Sequence, residues 1–205
     1  MRGEADHRMA NSLQLAADLL LFEQARVRDP DAREALGAAV ARLSAIAQLH
    51  RCLCDQDPAA GVDLRLFLGE ICDLIARSSG LACSLDADPV VVAPDTAQQL
   101  AIAVNELAMN AAKHAYRGHA RGALHVEARR NGDRLRLTVS DHGAGLGADF
   151  QIGRANGLGM DILQAVVRQV RGTLEAHDDH GARFTITLPL PTGVTPMPRS
   201  FAPPD

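Results

Sequence analysis

Three short stretches between residues 105 and 160 contain charged and amide side chains or closely spaced glycines, which are residue types that can bind a polar ligand. The first is NELAMNAAKHAY, residues 105–116, in which Glu106, Asn110 and Lys113 are separated by four and then three positions. Residues at that spacing share one face of a helix. A carboxylate, an amide and an ammonium group then form one polar stripe. The stretch alone leaves open whether that stripe is a binding face or a solvated surface.

The second stretch, Asp141-His142-Gly143-Ala144-Gly145, directly follows an apolar strand pattern. Glycines at alternate positions let the backbone come close to a flat ligand. The carboxylate of Asp141 can accept a hydrogen bond from an exocyclic amine. A tight turn gives the same letters, so this stretch is a weak signal when it is taken alone.

The third stretch, Asn156-Gly157-Leu158-Gly159-Met160, stands immediately before a predicted helix. The first N–H groups of a helix and the positive end of its dipole form a natural phosphate site. The sequence contains neither the dinucleotide-binding G-x-G-x-x-G fingerprint nor a P-loop G-K-[ST]. Any nucleotide site must therefore be of another kind.

The N-terminal part is predicted to be an αα-hairpin. Apolar residues recur at helical spacing over 8–27 and over 36–53. Between them, Asp29 is suited to cap a helix and Pro30 to open one. Such a hairpin cannot bury both apolar stripes by itself, whereas a dimeric four-helix bundle can.

The second part is predicted to be α+β, with helices on one face of a mixed sheet. Asn131-Gly132 indicates a β-hairpin turn, and residues 55–60 read as a linker. Residues 191–205 contain five prolines, which predicts a disordered tail. The expected domains are therefore residues 1–57, 58–190 and the tail 191–205. Helices are predicted over 64–75, 94–116 and 159–170, and strands over 83–85, 90–92, 123–129, 135–139 and 184–188.

Composition excludes several other classes of protein. A net charge of −4 argues against a nucleic-acid binder. No stretch approaches the roughly 20 apolar residues of a membrane span, and the charged start of the chain does not resemble a signal peptide, so we expect a cytoplasmic protein. The spacing of the cysteines favours reduced thiols over a zinc site; they are Cys52, Cys54, Cys72 and Cys83.

Taken together and in this order, the three stretches resemble the GHKL ATPase fold. Histidine kinases, gyrase, the Hsp90 chaperones and MutL share that fold. NELAMNAAKHA looks like its N box, DHGAG like its G1 box and NGLGM like its G2 box, while residues 172–175 and 181–184 resemble its last hairpin. The resemblance implies an α/β sandwich that binds ATP.

The resemblance also implies roles for individual residues. Asn110 would coordinate the Mg²⁺ that bridges the phosphates, and Glu106 would act as the acid/base group or position the nucleophile. Asn105 and Lys113 would help to bind phosphate and metal, and Asp141 would bind the adenine amine. The loop glycines would let the lid and phosphate loop close; they are Gly143, Gly145, Gly157 and Gly159. The implied nucleotide site also includes Leu158, His114 and Tyr116.

A histidine near the start of the chain indicates which member of that fold this is. Asp6-His7-Arg8-Met9-Ala10-Asn11 resembles the H-R-x-x-N phosphoacceptor box of a sensor-kinase group that is a sibling of the HWE kinases. On that resemblance His7 is the phosphoacceptor, because neutral imidazole is a nucleophile near neutral pH. Asp6 would orient the ring and Arg8 would steady the incoming phosphate.

The implied function is ATP-dependent autophosphorylation on His7, followed by transfer to an aspartate of a response regulator receiver domain. We expect a homodimer. Only six residues precede His7, so the signal is expected to come from a separate sensory partner, unless the chain is a fragment.

The chain also departs from the patterns it resembles. Asn105 stands where the HWE group has a histidine, and there is no Trp. Residues 146–156 imply a short ATP lid, and Ala182 occupies a place where threonine is frequent. Two alternatives stay open: a histidine phosphotransfer protein or scaffold with a degenerate ATP site, and a GHKL anti-sigma serine kinase.

Overall fold

A computed structural model describes residues 2–54, 61–116, 122–147, 150–154 and 157–190. Within these ranges, the side chains of 2–9, 31, 34, 49–50 and 52–54 are not described. The predicted linker 55–60 is outside the described residues, and so are Asn156 and the predicted tail 191–205.

The predicted N-terminal hairpin is confirmed. It consists of α1 (Arg2–Arg26) and α2 (Pro30–Cys54). Asp29 caps α2 as expected, because its Oδ1 accepts a hydrogen bond from the backbone N–H of Ala32 at 2.8 Å. Three alanines are almost completely buried within the hairpin: Ala10, Ala17 and Ala47. Small side chains at these points let the two helices pack closely.

The remainder of the described chain is an α+β unit. Its first half contains β1 (Val62–Asp63), α3 (Leu64–Ser79), β2 (Ala82–Ala87), β3 (Val91–Val92) and α4 (Pro94–Asn110). A π-helical turn (Ala111–Ala115) continues α4. Its second half contains β4 (Ala123–Asn131), β5 (Arg134–Asp141), a 3₁₀ turn (Ile152–Arg154), α5 (Leu158–Gln169), β6 (Thr173–Asp178) and β7 (Ala182–Pro189).

The main sheet is mixed, as predicted, with the strand order β2-β4-β5-β7-β6. Strand β2 pairs parallel with β4, and the other neighbours are antiparallel. Alternate residues of β4 face the core: Leu124, Val126 and Ala128. The helices α3, α4 and α5 cover this apolar face, which makes a two-layer sandwich. The small β1-β3 pair was not fully predicted, because two residues carry too little periodicity.

The β4–β5 hairpin is confirmed, with its turn one residue later than expected. Asn131 still pairs with Arg134 in the strands, so the central turn residues are Gly132 and Asp133. Gly132 adopts φ +62°. A two-residue turn with glycine in the left-handed region at its first position matches the twist of the flanking strands.

The end of α4 differs from the single helix predicted over 94–116. The α-helical part ends at Asn110, and the π-helical turn carries the chain to Tyr116. The hydroxyl of Tyr116 donates to the carbonyl of Ala123 at 2.7 Å and accepts from the N–H of His142 at 3.0 Å. These bonds tie the wide turn to the start of β4 and to the residue after the end of β5. Single-turn π-helices are frequent at functional sites.

Among the residues that the structure describes, no helix is both long and apolar enough to cross a membrane.

Candidate nucleotide site

A cavity of about 660 Å³ lies between the hairpin helix α2, the end of α4, the loop after β5 and the start of α5. Its size is within the range of small-molecule and cofactor sites. Eight of the predicted site residues line it: Asn110, Lys113, His114, Asp141, Gly145, Gly157, Leu158 and Gly159. Residues from all three sequence stretches therefore meet at one place.

Asp141 lies at the end of β5 and is 6% exposed. Its Oδ1 accepts hydrogen bonds from the backbone N–H of Gly143 at 2.9 Å and of Ala182 at 3.2 Å. Both bonds hold the carboxylate in one orientation at the cavity wall, and they engage the same oxygen. The second oxygen can accept a hydrogen bond from an amine of a bound ligand. Ala182 contributes its backbone here, so this bond does not require a threonine side chain.

Glu106 is buried beside the cavity, 1% exposed, and forms an ion pair with Arg42 of α2. The Nε of Arg42 donates to both carboxylate oxygens, each at 2.9 Å. Burial raises the pKa of Glu106, and the hydrogen bond and charge of Arg42 lower it without cancelling that effect. Glu106 also abuts the start of α5, because a Cβ placed on Gly159 would be 2.8 Å from its Oε2.

Arg42 is a site residue that the sequence analysis missed. It lines the cavity, and its partner is 64 positions away in the chain. A single arginine on an amphipathic helix is ordinarily a solvated residue, so the sequence contains no signal that singles it out. The contact exists because α2 packs against α4 and brings one polar side chain of the hairpin to the cavity.

The end of α4 supplies the groups that could meet phosphate and metal. Asn110 is the last residue of α4, and Lys113 and His114 are exposed on the π-helical turn. An amide oxygen suits Mg²⁺, which usually takes few protein ligands and completes its shell with substrate phosphates and waters. No cluster of three or more His, Cys, Asp or Glu residues that could hold a metal ion is present in the described ranges.

Gly143 joins the loop after β5 to the π-helical turn. The N–H of the next residue, Ala144, donates to the carbonyl of Ala115 at 3.1 Å. A Cβ on Gly143 would lie 2.6 Å from that same carbonyl oxygen. The loop can approach this closely only because Gly143 has no side chain.

Gly145 and its neighbour are fixed from the other side by β6. The N–H of Leu146 donates to Oδ2 of Asp178 at 3.2 Å. Gly145 has φ +74°, and a Cβ there would be 2.7 Å from both carboxylate oxygens of Asp178. The base of the loop is therefore held between the π-helical turn and the end of β6.

Some predicted site residues lie away from the cavity lining. Asn105 is half-buried on α4, Gly143 lies within the loop after β5 without lining the cavity, and Tyr116 contacts the start of that loop from outside the cavity. The backbone of His7 belongs to α1. The side chains of Asp6, His7 and Arg8 are not described, so their predicted roles lie outside the described residues.

Two family models match the two parts of the chain. A model described as "Histidine kinase" matches residues 4–79. A second, described as "Histidine kinase-, DNA gyrase B-, and HSP90-like ATPase", matches residues 95–192. The second range contains all three stretches that line the cavity.

The curated relatives are sensor kinases. Sensor histidine kinase PdtaS of Mycobacterium tuberculosis (strain CDC 1551 / Oshkosh) is 30% identical over 200 residues, which is 93% of this chain and 39% of the relative. Blue-light-activated histidine kinase 2 of Erythrobacter litoralis is 24% identical over 196 residues, 91% of this chain and 56% of the relative. The chain thus spans 39% to 56% of the length of these two relatives.

Solved structures share the fold. The histidine kinase domain of an Erythrobacter litoralis blue-light activated histidine kinase superposes with a TM-score of 0.64 at 22% identity. The alignment covers 92% of this chain and 94% of that domain. The hairpin and the α/β sandwich are therefore both parts of a known architecture.

Proposed function

Because this chain belongs to the histidine kinases and carries their ATPase domain, we propose that it transfers the γ-phosphate of ATP to His7 and then to an aspartate of a response regulator receiver domain. The observation that carries this proposal is the convergence of Asp141, Asn110 and the start of α5 on one cavity. Together these groups can recognise two parts of a ligand, a flat amine-bearing base and a polyphosphate.

The cavity offers a separate site for each part of ATP. Adenine would donate its exocyclic amine to the Asp141 carboxylate. The phosphates would lie against Gly157, Leu158 and Gly159, where the unpaired N–H groups of α5 and its dipole favour negative charge. Lys113 would add a positive charge from the π-helical turn. Gly145, at the base of the loop, would let the lid approach the bound nucleotide.

Asn110 would hold Mg²⁺ against the phosphates, with Asn105 and Lys113 supporting phosphate and metal. The metal ion would offset the charge that develops on the transferred phosphoryl group. His114 and Tyr116 would border the nucleotide. Tyr116 would act through the backbone that it braces, since it does not line the cavity.

The transfer itself would be an in-line displacement. A ring nitrogen of His7 forms a bond to the γ-phosphorus while the bond from that phosphorus to the bridging oxygen breaks, and ADP leaves. Asp6 would orient the ring and Arg8 would steady the phosphate. Glu106 would accept the proton that the imidazole gives up.

We also propose how the chain is divided into domains and which partners each domain binds. The hairpin, residues 1–57, would pair with a second copy and dock the receiver domain, and the ATPase domain would span 58–190. The packing of α3 against β2 and α4 supports that boundary, although the histidine kinase model extends to residue 79. ATP as the substrate suits a cytoplasmic reaction, and a separate sensory partner would supply the signal.

Autophosphorylation with γ-labelled ATP and Mg²⁺ tests this proposal. We expect label on the wild type, and none on His7→Ala or Asn110→Ala. An unlabelled wild type that still accepts phosphate from a phosphorylated receiver domain would instead identify a phosphotransfer protein. Neither that alternative nor a serine kinase is favoured, because residues 4–79, which include His7, match a histidine kinase model.

A further inference from the structure

The hairpin helix α2 forms one wall of the nucleotide cavity. Ala35, Ala38 and Arg42 all line it, and they lie on one face of the helix at intervals of three and four. Of these, only Arg42 can make a strong polar contact. Its side chain is 15% exposed and ends on the buried Glu106.

The ion pair with Arg42 occupies the Glu106 carboxylate, which the proposed phosphate transfer to His7 would need. Arg42 Nε donates to both oxygens of Glu106 at 2.9 Å. An imidazole that gives its proton to Glu106, or is oriented by it, must reach one of those same oxygens. This conflict is the same whether the histidine comes from this copy or from a second copy of the chain.

Arg42 and His7 lie at different distances, along the hairpin axis, from the loop that joins α1 and α2. Arg42 lies 13 residues after Asp29, about 20 Å along the axis from the loop, and His7 lies 20 residues before Val27, about 30 Å from it. The backbone of His7 is thus on the order of 10 Å further along the hairpin than the point where α2 meets Glu106. The hairpin must shift against α4 for His7 of the same copy to reach that point.

We propose that Arg42 is a positioning residue that latches the hairpin onto Glu106 in a resting state, and that it must release this carboxylate before His7 can be phosphorylated. The inference rests on the proposed kinase function. A buried ion pair suits a latch because each charge is costly to leave unpaired. Release therefore requires a replacement partner for each charge: water for the guanidinium once the hairpin has shifted, and the ring N–H of His7 for the Glu106 carboxylate.

The test uses the full chain and measures initial rates of autophosphorylation over a range of Mg²⁺ and γ-labelled ATP concentrations. Arg42→Gln removes the charge, Arg42→Lys keeps it, and Arg33→Gln is the matched control on the exposed part of α2. We expect Arg42→Gln to raise kcat several-fold with the KM for ATP unchanged. Arg42→Lys, which keeps the charge but not the geometry of the guanidinium, should raise kcat less than Arg42→Gln does, and Arg33→Gln should match the wild type.

A second readout does not depend on catalysis. Without nucleotide, hydrogen exchange along α2 should be faster in Arg42→Gln than in the wild type or Arg33→Gln. A lower kcat or a raised KM in Arg42→Gln would overturn the latch and make Arg42 a nucleotide contact. Unchanged kcat or unchanged exchange would overturn it as well. If the wild type is not phosphorylated under any condition, the proposed function is wrong. The hydrogen-exchange measurement along α2 still tests whether Arg42 holds the hairpin.

Discussion

At the scale of the residue, two buried carboxylates define the site, and they differ in what holds them. Asp141 is held by backbone N–H groups from its own loop and from β7. Glu106 is held by a side chain from the hairpin. The hydrogen bonds of Asp141 come from the sheet and its adjoining loop, and they leave one carboxylate oxygen for a ligand. The ion pair of Glu106 depends on the position of the hairpin against α4.

Replacement of Asp141 by Asn should weaken ATP binding. The change removes the negative charge and can present an NH₂ group to an amine donor. A hydrogen bond to a charged group contributes about 1.5–3 kcal/mol, so we expect the affinity to fall by roughly 10- to 150-fold. Titration with a non-hydrolysable ATP analogue measures this, with Asp179→Asn as control, since Asp179 pairs with Arg183 outside the cavity. Equal affinity of the wild type, Asp141→Asn and Asp179→Asn for the analogue would show that Asp141 does not bind adenine.

The pKa of Glu106 should lie above the ordinary glutamate value of about 4.3. Burial disfavours the ionised form and outweighs the opposing attraction of Arg42. Arg42→Gln removes that attraction, so the pKa should rise further. Carbon-13 NMR titration of the glutamate carboxyls measures both effects, and Glu106→Gln identifies the resonance. An ordinary pKa would contradict the dominance of burial, and no change in the pKa on removal of Arg42 would contradict the ion pair.

The residues that the sequence could reveal are those with local partners. Asp141 stands two positions before Gly143, whose N–H donates a hydrogen bond to it, so the spacing of the acid and the glycine indicates the turn. Arg42 and Glu106 are 64 positions apart, and only the packing of α2 on α4 brings them together. No local pattern encodes that contact.

At the scale of the element, short irregular segments hold the cavity open. The sequence predicted the helices and the mixed sheet well, because their periodicity extends over many residues. It did not predict the π-helical turn after Asn110, since Ala111–Ala115 continue a helical pattern without interruption. The wider turn is accompanied by contacts with distant residues, through the Tyr116 hydroxyl and the carbonyl of Ala115.

Gly143 and Gly147 provide a matched pair within one loop. A Cβ on Gly143 would lie 2.4 Å from the Cβ of Ala115, while a Cβ on Gly147 would meet nothing within 4 Å. Gly143→Ala should therefore push the loop away from the π-helical turn, lowering both the thermal midpoint and the ATP affinity. Gly147→Ala, at a position with no neighbouring atom for the added Cβ, should leave the thermal midpoint near that of the wild type. Thermal unfolding and analogue titration check this, and equal behaviour of the two variants would refute the close approach.

The exposed face of α1 indicates where a second copy would bind. Leu15, Leu19 and Phe22 are 61%, 58% and 72% exposed and share one helix face. Burying such side chains contributes about 1.5–3 kcal/mol each. Leu19→Glu should therefore convert a dimer into a monomer in light scattering. Leu66→Glu, 69% exposed on α3, should leave the dimer intact, and a Leu19→Glu protein that stays dimeric would rule out this face.

At the scale of the whole molecule, the proposed function places the nucleophile on the hairpin and the ATP site on the α+β unit. The order of the motifs was enough to predict both parts, and the family models support them. How the parts meet could not be predicted, because docking of α2 on α4 depends on side chains far apart in the sequence. That docking decides whether the site is latched or ready for transfer.

In the proposed function, the γ-phosphate of ATP is transferred to the imidazole of His7. The most direct measurement is to label the wild type with ATP and Mg²⁺, test the linkage in acid and base, and map it by tandem mass spectrometry at alkaline pH. We predict a base-stable, acid-labile phosphoramidate on His7. An acid-stable phosphate on serine or threonine, or a phosphohistidine at any other position, would contradict the account.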